Sequence, residues 1–176
     1  MGGPLAGSRM FAVYLNDHLA GATAGVEHAW RMVREHQSVD IGAEMKHLAA
    51  EISLDRQSLL RLMGSLKVPV RRYKIYGAWA GEKIGRLKPN ARLVRHSELS
   101  TVVELEGLRL GVEGKALLWR ALIDWAPREP RLDTRRLHEL LDGARQQAEA
   151  LDALHTRATQ TFLTDRLSRP NPEAGR

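Results

Sequence analysis

The sequence predicts an all-α fold in which four long helices pack as a bundle around one core. Three observations carry that expectation. Apolar residues recur at steps of three and four over four separate stretches, which is the spacing of one helix face. No stretch alternates apolar and polar residues as a half-buried strand would. Prolines and capping residues gather between the stretches. The 176 residues suffice for one domain with a substantial core.

The first helix is expected over about 10–36, where Leu15, Leu19, Ala22, Val26, Ala29 and Val33 form the stripe. Gly21 and Gly25 lie inside it, each costing roughly 1 kcal/mol relative to Ala, and their four-residue spacing suits the close approach of another helix. Ser38 and Asp40 offer caps for a second helix over about 41–66, with the stripe Ile41, Met45, Leu48, Ile52, Asp55, Leu59, Leu62 and Leu66. Pro69 to Gly85 reads as a shorter helix carrying Tyr73, Tyr76 and Trp79, followed by a loop at Pro89 and Asn90. A third long helix is expected over about 97–125, with the stripe Leu99, Val103, Glu106, Leu110, Glu113, Leu117 and Ala121, ended by Pro127 and Pro130. The fourth spans about 134–166, with Leu137, Leu141, Ala144, Ala148, Leu151, His155, Ala158 and Phe162 inward. Residues 10–166 thus form the domain, between a flexible 1–9 and a disordered tail over 167–176. The connection between the second and third long helices is long enough to run the length of the bundle, so those two should be parallel.

The chain has no cysteine, which excludes disulfides, thiolate metal ligands and cysteine nucleophiles. No apolar run is long enough to span a bilayer. Met1–Gly7 lacks the basic and long apolar regions of a signal peptide, so a cytoplasmic location is expected. The net charge of +6 is local: residues 69–96 carry +7, leaving −1 for the rest. In that segment Arg71, Arg72, Lys74, Lys83, Arg86 and Lys88 mix with Tyr73, Tyr76 and Trp79. Cations can meet phosphates and aromatic rings can stack on bases, so a polyanion or nucleic acid is one candidate partner. The competing reading packs the rings on the bundle and leaves the cations in water. There is no Gly-rich phosphate loop, zincin motif or nucleophile elbow.

The acids and the imidazole on the stripes need an explanation, because a buried charge is costly unless paired or bound to a metal. Asp55, Glu106, Glu113 and His155 are expected to form a buried polar network, closed by Arg56, Arg109 or Lys115. Such a network can fix which helices face each other. In the parallel-crossover topology Glu27, Glu51, Glu106, Asp152 and His155 fall within about one helical turn of a common level. Asp152-Ala-Leu-His155 has the Glu-x-x-His spacing with Asp for Glu. Glu44-Met-Lys-His47 also has that spacing but sits nearer the turn, and Glu51 has Leu54 where a His would be.

On this architecture and these motifs the chain resembles the ferritin-like superfamily. The resemblance implies a four-helix bundle with a short helix in the crossover between helices two and three. It also implies a carboxylate-bridged di-metal centre of iron or manganese on Glu27, Glu51, Glu106, Asp152 and His155, with di-iron oxidase-type chemistry. The residues themselves establish no cofactor. They favour a non-catalytic helical protein with a structural polar core, associating as a homodimer through a long-helix face.

Overall fold

The computed structural model describes residues 9–35, 41–71 and 98–168. These form four α-helices: α1 (Arg9–Glu35), α2 (Ile41–Ser65), α3 (Glu98–Trp125) and α4 (Thr134–Ser168). A 3-10 turn, Ala126–Arg128, with Pro127 inside it, ends α3. No strand occurs among the described residues, and no described helix is long and apolar enough to cross a membrane.

Side-chain contacts set the directions. Trp30 and Arg56 tie α1 to α2 through Ser53 and Thr23. Phe11 and Tyr14 stack edge-on to Trp125, while His28 meets Glu104. Both pairings make α1 antiparallel to its neighbour, so α2 and α3 run the same way. Arg109–Asp152 and Glu106–His155 make α3 and α4 an antiparallel pair. Glu44–Arg157 and Leu66–Arg131 place α4 antiparallel to α2.

The core draws one stripe from each helix: Phe11, Leu15, Leu19 and Met32; Met45, Leu48, Ile52, Leu59 and Met63; Val102, Leu105, Val112, Trp119 and Leu122; Leu137, Leu141, Leu151 and Leu154. Burial of each such Leu, Ile, Val or Met contributes about 1.5–3 kcal/mol. The stripes expected for α2 and most of α4 coincide with this; on α1 Leu15, Leu19 and Ala29 are buried, Val26 and Val33 pack half-buried on the core, and Phe11 and Met32 join it from outside the expected stripe. The stripe expected for α3 does not coincide with the core. Leu99, Val103, Leu110 and Leu117 are 41, 42, 73 and 52% exposed. α3 carries two apolar frames on roughly opposite faces, and the expected one holds Glu106 and Glu113. Burying those carboxylates would cost more than leaving four aliphatic groups in water, so the frame without carboxylates turns inward. In α4 the step after Leu151 is three residues and not four. Leu154 is therefore buried and His155 half-buried at the edge.

α2 stops in a tight C-cap. Lys67 takes a left-handed φ of 57°, and Val68 N–H donates to Met63 O at 2.9 Å, which is the Schellman pattern. Asn16 of α1 then holds the departing chain, donating to Pro69 O at 3.2 Å and accepting from Arg71 N–H at 2.8 Å. Residues 69–71 are not helical. The remainder of the short helix expected over 69–85 lies outside the described residues. So do residues 1–8 and 169–176 of the expected terminal segments, although α1 begins at Arg9 and α4 reaches Ser168.

Candidate functional site

Midway along the bundle three helices contribute one polar side chain each. Asp55 of α2 accepts from Lys115 Nζ of α3 at 2.5 Å and from Gln147 Nε2 of α4 at 3.0 Å, both on Oδ2. Lys115 Nζ also donates to Gln147 Oε1, which closes the triangle. Asp55 and Lys115 retain only 11% and 13% side-chain exposure. A charge pair this dry needs further hydrogen bonds to be stable, and Gln147 supplies one to each partner. Asp55 was legible as a polar interruption of the α2 stripe, and Lys115 as a cation within reach. Gln147 was missed, though its position three residues past Ala144 on the α4 stripe is a usable signal.

The other members expected in a shared interior lie elsewhere. Glu106 is exposed and accepts from His155 Nε2 at 3.2 Å, the imidazole being half-buried at the α3–α4 edge. Glu113 sits at the surface with 46% side-chain exposure, bonded to Arg109 at 3.3 Å. The stripe reading therefore needs correction for Glu106, Glu113 and His155, for the reason that turned the α3 frame. Of the five residues expected as metal ligands, only Glu106 and His155 meet. Asp152 pairs with Arg109 at 2.9 Å, Glu51 lies 3.5 Å from His47 within α2, and Glu27 is exposed on α1. Glu44 bonds Arg157 at 2.7 Å across an open cleft between α2 and α4. Among the described residues no three of these ligand types gather in a way that could hold a metal ion. Of the basic residues expected to bind anions, Arg71 is exposed. Arg72, Lys74, Lys83, Arg86 and Lys88 lie outside the described residues.

A second polar contact marks the seam between α1 and α3. Arg31 Nη2 donates to His28 Nδ1 at 2.7 Å, so the His28 ring must carry its proton on Nε2, which faces Glu104 O at 3.1 Å. That is the neutral imidazole. Burial lowers the His28 pKa below its ordinary 6.5 and the Arg31 charge lowers it further, against the raising effect of the Glu104 carbonyl and Glu35. Near the lower end His18, edge-on to Tyr14 at 4.5 Å, is also lowered by burial, opposed by Asp17. Asn16, two residues earlier, serves as the chain anchor described above. Gly25 does not mediate a close helix approach, since a Cβ added there would meet nothing within 4 Å.

The most conspicuous surface is the outer face of α3. Val103, Leu110 and Leu117 repeat at seven-residue steps with Leu99 above them, all exposed. Gly107 and Gly114 lie beside them, and a Cβ at either would find open space. Glu106, Arg109, Glu113 and Arg120 line one flank. No protein-family model, curated protein or solved structure matches this chain.

Proposed function

We propose that the chain is a non-catalytic helical bundle of ferritin-like crossover topology that works by association through the outer face of α3. The shared direction of α2 and α3 supports the topology. The single observation that carries the function is the exposure of four large aliphatic residues in one helical register, Leu110 at 73%. Scattered apolar residues are ordinary on a protein surface, whereas a contiguous stripe marks a contact surface. The interior polar groups favour a structural role: Asp55, Lys115 and Gln147 bond to one another and so link three helices.

The test is Leu110→Lys together with Leu117→Lys, followed by thermal and urea unfolding at high dilution. A face reserved for an outside partner predicts a change within about 0.5 kcal/mol. A loss of about 2 kcal/mol or more would mean that the face is packed within the chain, and the reading would fail.

A further inference from the structure

The geometry points to a second copy of this chain, laid antiparallel on the outer face of α3, as its partner. This rests on the reading of that face as a contact surface and names what covers it. The first argument is shape. Val103, Leu110 and Leu117 are large, and Gly107, Gly114 and Ala121 follow the same seven-residue step four positions later. A two-fold axis at the level of Val112 sets Val103 of one copy against Ala121 of the other, Leu110 against Gly114, and Leu117 against Gly107. All three large residues meet small ones in the same register, and the open space at Gly107 and Gly114 is where the leucines fit. A parallel copy in register would set leucine against leucine and glycine against glycine.

The second argument is charge. Along the flank of the stripe the order is Glu106, Arg109, Glu113, Arg120. Arg109 already neutralises Glu113 within the chain, whereas Arg120 is exposed and forms no ion pair among the described residues. Reversing the direction of a second copy brings its Arg120 to within side-chain reach of Glu106, and the symmetry repeats that pair at the other end. A parallel copy would set Glu106 against Glu106 and Arg120 against Arg120. Opposite charges on the rim of an apolar seam fix orientation in this way.

The experiment uses the full chain in sedimentation equilibrium and light scattering over a concentration series. The wild type is expected as a dimer. Leu110→Glu is expected to be monomeric, with its helical circular dichroism unchanged. Glu106→Arg and Arg120→Glu, each exposed and outside the core, should each weaken the dimer about tenfold, and the two together should restore it. A wild type that stays monomeric at every concentration overturns the self-partner. So does a dimer that survives Leu110→Glu. A dimer indifferent to the single charge reversals, or not restored by the double, overturns the antiparallel pairing. None of these results depends on the stability of the dilute Leu110→Lys/Leu117→Lys monomer, which judges the contact-surface reading separately.

Discussion

The two sides of α3 carry similar apolar material and meet opposite fates. One side, from Val102 through Leu105, Val112 and Trp119 to Leu122, is in the core. The other, from Leu99 through Val103 and Leu110 to Leu117, is in water. What separates them is not the number of leucines but the residues between them. The outer frame holds Glu106 and Glu113 at core-like positions, while the inner frame holds no carboxylate and includes Trp119. A frame with two carboxylates can be buried only with two cations to match, and α3 and α4 spend Arg109 on the surface pair with Asp152.

Truncation contrasts the sides most strongly. Trp119 is 1% exposed, and Trp119→Ala should cost about 3–5 kcal/mol in urea unfolding. Leu110→Ala in the same dilute conditions should stay within about 0.5 kcal/mol. Comparable losses would abolish the distinction between the faces. The indole Nε1 of Trp119 is buried with no hydrogen-bond partner among the described residues.

The next effect probes the one charged residue that the inner side accepts. Lys115→Met leaves the Asp55 carboxylate buried and bonded only to Gln147, a loss expected at about 3 kcal/mol. Asp55→Leu combined with Lys115→Met removes both charges and should recover most of that loss. Denaturant titration of the single and double variants reads this directly. An additive double would show that the two side chains do not act as a pair.

These contrasts also explain how far the sequence could be read. Helix boundaries were legible to within a few residues because Pro127, Pro130 and the capping residues Ser38 and Asp40 punctuate them. The buried Asp55 was legible because either helical step between Ile52 and Leu59, to Asp55 or to Arg56, puts a charge on the stripe. The α3 frame was not, because two heptad frames compete on one helix, and the choice depends on cations and neighbours contributed by other helices. His155 failed for a smaller reason of the same kind: after Leu151 a step of three or of four is equally helical, and only the packing against α3 selects Leu154. The expected di-metal set divides for the same reason: Glu106 and His155 meet, while Asp152 pairs with Arg109, Glu51 with His47, and Glu27 is exposed on α1.

The smallest effect lies at the seam between α1 and α3, where His28 spans from Arg31 to the Glu104 carbonyl. Its folded pKa is lowered below the unfolded value of 6.5, so the unfolded chain binds the proton more readily. Stability from this group is therefore complete above pH 6.5 and declines as the pH falls from there toward the folded pKa. Burial of the ring is the main cause, and protonating Nδ1 also removes the acceptor for Arg31 and sets two cations 2.7 Å apart. Wild-type protein should lose melting temperature on acidification below pH 6.5, and His28→Gln should flatten that decline. His18, lowered by burial in the same direction, would leave a residual slope that His18→Gln removes. An acid slope unchanged in His28→Gln would mean that the seam tolerates the imidazolium, and the neutral tautomer assigned by the Arg31 bond would be wrong.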